Sequence, residues 1–78
     1  MSHEQVVSEK QLGRLAKQYR KKAGKTRAQA AREMKVSQTS IFQAEEMQEQ
    51  ALVKLRLRMI EKYSPYTVKG PVFLLKEE

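Results

Sequence analysis

Residues 24–46 read GKTRAQAAREMKVSQTSIFQAEE, and this stretch decides the fold of the 78-residue chain. Thr26 and Gln29 lie three residues apart, which is the spacing of a capping box, where each side chain bonds the other residue's backbone N–H. Alanines and Met34 follow, and such small residues let a helix approach its neighbours closely. We therefore predict a helix over roughly 27 to 34.

A second helix start follows almost at once. Ser37 is a suitable N-cap, and Val36 before it can pack against Ile41 as a hydrophobic staple. These signals predict a helix over about 38 to 46. Only residues 35 to 37 separate this helix from the one before it, and a turn that short fixes the crossing angle of the two helices.

An amphipathic helix precedes this pair. Its apolar positions recur at the spacings of a single helical stripe, and they are Leu12, Leu15, Ala16, Tyr19 and Ala23. Ser8 and Gln11 have the spacing of another capping box, and Gly24 suits the left-handed residue that ends a helix. The first helix is predicted over about 9 to 23.

A fourth helix is predicted to begin near Gln48 and to end at Ser64, because a residue before proline is driven out of the helical region. Its inward stripe comprises Leu52, Leu55, Met59, Ile60 and Tyr63. Val53 and Leu57 form a second apolar stripe without an evident partner. Excess apolar surface on so small a chain more often serves a partner chain than a ligand pocket.

The tail, residues 65–78, is rich in β-forming residues. It predicts one strand, or a hairpin that turns at Lys69 and Gly70, and neither is stable alone. The same strand of a second subunit is the simplest partner, although pairing within the chain is also open. The residues predicted to mediate dimerisation are Val68, Val72, Phe73 and Leu74.

The opening residues carry few structural signals. His3, the single histidine, lies in a terminus that is expected to be frayed and solvated. The whole chain, 1–78, is therefore predicted to be one mainly α domain. It combines four helices, of which the second and third form a helix-turn-helix, with a short C-terminal β-strand or hairpin.

Composition narrows the class of function. The chain has no cysteine, and its apolar residues never approach the run of about 20 that a membrane helix needs. No Ser/His or Cys/His arrangement exists, and Glu45 and Glu46 are neighbours on a helix and so diverge. We expect no enzyme, no cofactor, no metal and no small-molecule ligand, and a cytoplasmic protein.

The basic charge is concentrated in the first half of the chain. The net charge is +7, and residues 10–35 hold ten Lys and Arg against Glu33 alone. Residues 36–44 then carry no charge at all. Such a balance indicates a polyanionic partner, and nucleic acid and an anionic membrane surface are the two obvious candidates.

A short helix, a tight turn and a second helix beginning Gln-Thr-Ser are what a helix-turn-helix needs for reading duplex DNA. Gln38 can offer adenine a paired donor and acceptor in the major groove, while Thr39 and Ser40 can reach bases or phosphates. Basic residues of the first two helices would contact phosphate and supply affinity without sequence information. The third helix would then read the sequence.

From Gly24 to Glu45 the chain also resembles the family of phage repressor, Cro and Xre-type regulators. The resemblance rests on Ala31 at the helix-helix contact, Val36 in the turn, Ile41 in the core and the Gln-Thr-Ser start of the reading helix. It implies a lambda repressor-like fold and sequence-specific binding of double-stranded DNA.

The resemblance also implies roles for individual residues. The implied base-reading residues are Gln38, Thr39, Phe42 and Gln43. The implied phosphate contacts are Lys25, Arg27, Ser37 and Ser40. An ion pair between Arg20 and Glu45 would tie the first helix to the reading helix.

Two residues within the resemblance need separate comment. Lys35 stands where the family usually has a turn glycine, so it is expected to hold a left-handed conformation at a cost of about 1 kcal/mol. Phe42 has two interpretations. It contacts a thymine methyl from the outward face of the third helix, or it packs in the core or against a second subunit.

The function that these patterns favour is transcription regulation by a homodimeric repressor of a phage, plasmid or small prokaryotic operon, bound to a palindromic operator. One alternative is an antitoxin or a restriction-modification controller that also binds a protein partner. Another, from a different class, is a basic adaptor that binds RNA or an acidic protein. A membrane-surface helix is disfavoured because the first helix has no Trp or Phe.

Overall fold

The computed structural model describes residues 4–69 and 73–77. In this part of the chain one short strand precedes the four helices and two short strands follow them. In chain order the elements are β1 (Glu4–Val7), α1 (Glu9–Lys22), α2 (Arg27–Met34), α3 (Gln38–Glu46), α4 (Val53–Tyr63), β2 (Tyr66–Lys69) and β3 (Phe73–Glu77). The predicted mainly α class with four helices is confirmed.

The caps of α2 and α3 explain why these helices begin where the sequence predicts. The Thr26 hydroxyl accepts a hydrogen bond from the Gln29 amide at 3.1 Å, and the Gln29 side-chain oxygen accepts one from the Thr26 amide at 2.8 Å. At the start of α3 the Ser37 hydroxyl accepts from the Ser40 amide at 3.1 Å. Each cap satisfies amides that the helix itself leaves without a partner.

The turn between α2 and α3 contains the expected left-handed residue. Lys35 has φ 61° and ψ 45°, a conformation that costs a residue with a Cβ about 1 kcal/mol. Its amide closes the end of α2, and the Val36 amide donates to the Ala31 carbonyl at 3.0 Å. The turn therefore stays tight without glycine.

The core lies where all four helices meet. Each helix supplies fully buried apolar side chains, and the core residues are Leu12, Ala16, Ala30, Ala31, Met34, Ile41, Ala44, Leu55, Met59 and Ile60. Val53 and Leu57, the stripe without an evident partner in the sequence, are half-buried against this core. They contribute to the fold of the single chain.

Gly13 sets the distance between α1 and α3. It is buried, and a Cβ added to it would lie 2.7 Å from the Ala44 carbonyl oxygen and 3.2 Å from that of Glu45. Both oxygens belong to the backbone, so they cannot rotate away from an added Cβ as a side chain could. Glycine is therefore required here by close packing rather than by an unusual φ.

We predict that Gly13→Ala lowers the free energy of unfolding by about 1–3 kcal/mol, the usual cost of overpacking a core. Helix propensity alone predicts the opposite sign, because alanine is favoured over glycine by about 1 kcal/mol. The control is Gln18→Ala on the exposed face of α1, which should not destabilise. Urea denaturation of both variants measures the change in the free energy of unfolding. A stabilised Gly13→Ala protein would contradict the close contact.

The start of α4 differs from its prediction. The helix begins at Val53 rather than near Gln48, and residues 47–52 form turns instead. In these turns the Gln50 amide donates to the Met47 carbonyl at 3.1 Å and the Leu52 amide to the Gln50 carbonyl at 2.9 Å. The prediction was wrong because helix-forming residue types continue through this segment while no capping residue marks the true start.

The termini form a three-stranded sheet in the order β1-β3-β2, with both pairings antiparallel. The hairpin interpretation of the tail is confirmed, since β2 pairs with β3. The N-terminal strand was not predicted from the sequence: residues 4–7 form β1, which pairs with β3 and matches Val7 to Phe73. His3 lies outside the described residues.

This sheet bears on the predicted dimerisation residues. Val68 lies in β2, Phe73 and Leu74 lie in β3, and Val72 lies outside the described residues. β3 is the central strand, and its partners are strands of the same chain rather than a second copy of itself. Of the two kinds of pairing that the sequence left open, β3 shows the one within the chain, and dimerisation through this segment stays a prediction.

Glu33 joins α2 to α4 and to the segment before α2. Its carboxylate accepts a hydrogen bond from the Tyr63 hydroxyl at 2.5 Å and forms an ion pair with Lys25 at 3.0 Å. The Tyr63 hydrogen bond, followed by the one from Lys25, lowers the pKa of Glu33 below its ordinary value. A lowered carboxylate pKa stabilises the fold above the unfolded-state pKa and loses that contribution as the pH falls.

We predict that Tyr63→Phe raises the pKa of Glu33 toward its ordinary value. The variant keeps the ring but removes the hydrogen bond that lowers this pKa most. An NMR titration of the Glu33 carboxyl carbon in both proteins measures the change. Glu9 serves as an internal control, because it lies in the first turn of α1 whereas Tyr63 lies beside the last turn of that helix. An unchanged Glu33 titration would show that Lys25 alone holds the carboxylate.

Candidate nucleic-acid interface

The outward face of α3 is uncharged and accessible over its first six residues, and Phe42 is its one apolar side chain. Gln38 and Thr39 are exposed and Gln43 is half-buried. Phe42 is 44% exposed, the one large apolar side chain so exposed among residues 8–67. Packing of Phe42 in the core of its own chain is therefore wrong, and the contacts with DNA or with a second subunit stay predictions.

The start of α3 carries two hydroxyls that suit phosphate. The Ser37 and Ser40 hydroxyl oxygens lie 3.0 Å apart, and Ser37 is also the N-cap of the helix. Helix N-termini attract anions because their first amides point outward without partners and the helix dipole is positive there. The two serines that the resemblance implies as phosphate contacts therefore lie at a chemically suitable place.

Arg20 and Glu45 form the ion pair that the resemblance implies. The Arg20 Nε donates to Glu45 Oε2 at 2.5 Å and its Nη2 donates to Oε1 at 3.0 Å. Both side chains are buried, with 7% and 0% exposure. This bidentate contact holds the last turn of α3 against α1.

Arg27 binds within the protein, beside the outward face of α3. Its Nε donates to Glu45 Oε1 at 3.0 Å and its Nη2 donates to Glu46 Oε2 at 2.9 Å. Its guanidinium carbon lies 5.0 Å from the centre of the Phe42 ring, within cation–π distance. If Arg27 contacts phosphate as predicted, the phosphate must compete for its guanidinium with two carboxylates and an aromatic ring.

Glu46 ends α3 between cations from two other helices. Lys17 Nζ lies 2.5 Å from Glu46 Oε2, and Arg27 binds the same oxygen. The hydrogen bond from Lys17 is the main reason that the pKa of Glu46 lies below its ordinary value. Glu45 and Glu46 diverge as expected, one into the core and one to the surface, and both bind Arg27.

Lys25 also contacts the protein rather than standing free. Its ammonium group pairs with Glu33 at 3.0 Å, and its carbonyl accepts a hydrogen bond from Arg20 Nη1 at 2.7 Å. Arg20 therefore fixes the loop before α2 as well as the end of α3.

Two residues that hold the candidate site in place escape the sequence prediction, and both are arginines of α4. Arg56 is 2% exposed and donates from Nε to the Ala44 carbonyl and from Nη2 to the Met47 carbonyl, each at 2.8 Å. Arg58 donates to the Met34 carbonyl at 2.9 Å. These donors satisfy carbonyls that helices leave open at their C-termini, so α4 caps both helices of the helix-turn-helix.

A signal for Arg56 was present in the sequence. Arg56 lies four residues from Leu52 and four from Ile60, on the same side of α4 as its apolar stripe. A charged residue on a buried stripe needs a partner in the core. The partner itself, a row of backbone carbonyls at the end of α3, depends on the three-dimensional packing of the two helices.

A row of cations follows one side of α1, which we call the α1 basic stripe. Its members are Lys10, Arg14, Lys17 and Lys21. Their spacings of four, three and four residues place them on one face of the helix. Lys17 joins this face to Glu46, whereas Lys10, Arg14 and Lys21 make no ion pair with another described residue.

We predict that Glu45→Gln lowers the free energy of unfolding by about 3 kcal/mol, because it leaves the buried Arg20 without a countercharge. The matched control is Glu46→Gln, the same change at the adjacent residue, where the carboxylate is at the surface. Thermal and urea unfolding should show a much smaller effect for the control. Equal effects would contradict the structural role of burial at Glu45.

Comparisons of the chain with known proteins found no match. No protein-family model matches the chain, and no curated protein and no solved structure matches it. Among residues 4–69 and 73–77 no group of side chains suits a metal ion, and no helix there has the length and apolarity to cross a bilayer.

Proposed function

We propose that the chain is a sequence-specific DNA-binding regulator, a cytoplasmic repressor that acts as a homodimer on a palindromic operator. The observation that carries this proposal is an accessible polar face on α3, anchored by the buried Arg20–Glu45 pair and by Arg56. A rigid helix that presents amides and hydroxyls without nearby repulsion is suited to the major groove.

The distribution of charge supports duplex DNA as the partner. The α1 basic stripe adjoins the end of α3 through Lys17 and Glu46, so a duplex that receives α3 would bring phosphates close to α1. Side chains with adjacent like charges on a helix destabilise it slightly, and phosphate would relieve that repulsion. The resemblance of residues 24–45 to phage repressors, Cro and Xre-type regulators supports the same function.

Selection of duplexes from a random library tests the proposal. The expected result is an enriched pseudo-palindrome whose half-sites lie about 34 Å apart, one helical turn of DNA, as two-fold related reading helices require. Sedimentation of the complex with the enriched duplex should give two chains per duplex. If selection enriched no sequence, the regulator proposal would fail and an adaptor that binds RNA or protein would be favoured.

We predict that Gln38→Ala weakens binding of the enriched duplex and leaves binding of random duplex unchanged. A bidentate contact with one base discriminates by about 1–3 kcal/mol, so the loss should be roughly 5- to 150-fold per half-site. Fluorescence anisotropy with both duplexes measures it. An equal loss on both would exclude Gln38 from base reading.

The α1 basic stripe should act in the opposite way. We predict that the double variant Lys10→Gln and Lys21→Gln weakens enriched and random duplexes alike. Because each of the two subunits loses two cations, the slope of log affinity against log salt should fall by about 4. The control, Arg32→Gln with Lys62→Gln, removes the same charge at exposed positions elsewhere. A control with the same loss of slope would show that net charge, not the stripe, determines affinity.

A further inference from the structure

The contacts of Arg27 suggest a role other than a simple phosphate contact. Its guanidinium is fixed by Glu45 and Glu46 at 3.0 and 2.9 Å, and Glu45 is fully buried. Both carboxylates belong to α3, whereas Arg27 is the first residue of α2. Arg27 therefore joins the start of one helix to the end of the next.

The same guanidinium lies against Phe42. Its carbon is 5.0 Å from the ring centre, and a cation over an aromatic face is attracted by about 0.5–1 kcal/mol at an exposed site. Phe42 still retains 44% exposure. One face of the ring is thus held by Arg27 while the rest remains open on the outward side of α3.

We infer that Arg27 is a positioning residue that holds the Phe42 ring on the reading face, where the ring contacts the 5-methyl group of a thymine in the major groove. This inference rests on the proposed function. Thymine fits because its methyl group is the apolar feature of the major-groove edge, and an aromatic ring is an apolar partner for it. The carboxylates fix the guanidinium, and the guanidinium fixes the ring.

Lysine at position 27 separates positioning from charge. Lys keeps the positive charge for phosphate, but it lacks the planar fork that binds two carboxylates and stacks on a ring. The test duplexes are the enriched sequence and derivatives in which each thymine in turn is replaced by deoxyuridine, which lacks only the methyl group. The control variant is Arg32→Lys, the same change at an exposed arginine of α2.

For the unaltered protein, one thymine per half-site should show a roughly fourfold weaker Kd after replacement by deoxyuridine, the value of one buried methyl group. Arg27→Lys and Phe42→Ala should both reduce that ratio to about one, whereas Arg32→Lys should keep it. Binding of random duplex should be unchanged in Arg27→Lys. Phe42 is exposed, so Phe42→Ala leaves the core unchanged and the variant should fold.

Four results would overturn the inference. The first is that no thymine loses affinity when its methyl group is removed, and the second is that Arg27→Lys keeps the ratio. The third is equal weakening of enriched and random duplexes by Arg27→Lys, which would make Arg27 a phosphate contact. The fourth is loss of the ratio in Arg27→Lys but not in Phe42→Ala. The proposed function fails separately, when selection enriches no sequence at all.

Discussion

The buried carboxylate of Glu45 is the contact on which the rest of the structure depends. It is fully buried on the inward side of α3 and accepts hydrogen bonds from Arg20 of α1 and Arg27 of α2. A buried charge without a partner is costly, so its two partners must stay in place whenever the protein is folded. One carboxylate therefore fixes α3 relative to both helices that precede it.

The opposite side of the helix-turn-helix is fixed by α4. Arg56 and Arg58 bind carbonyls at the ends of α3 and α2, so side chains of α4 satisfy these helix ends. Gly13 lets α1 approach the α3 backbone closely, so the short helix α3 is held rigidly between α1 and α4. That rigidity matters for the proposed function, because base contacts demand a fixed reading face.

Local signals and tertiary contacts differ in how well the sequence predicts them. The bounds of α2 and α3 and the left-handed Lys35 follow from capping residues and turn length, which act within a few residues. The start of α4 and the strand β1 do not, because one lacks a cap and the other exists only through pairing with the distant β3. At the site, the outward position of Gln38 was predictable from helical spacing, whereas the contacts of Arg27 and Arg56 depend on which helices meet.

The central claim is that the outward face of α3 contacts duplex DNA. The most direct measurement is an NMR titration of the labelled protein with the enriched duplex. It follows the chemical shifts of the backbone and side-chain amides along the chain. The account predicts the largest changes at residues 37–43, including the side-chain amides of Gln38 and Gln43, with smaller salt-sensitive changes along the α1 basic stripe. Largest changes on the sheet or on the outer side of α4, with α3 unaffected, would contradict it.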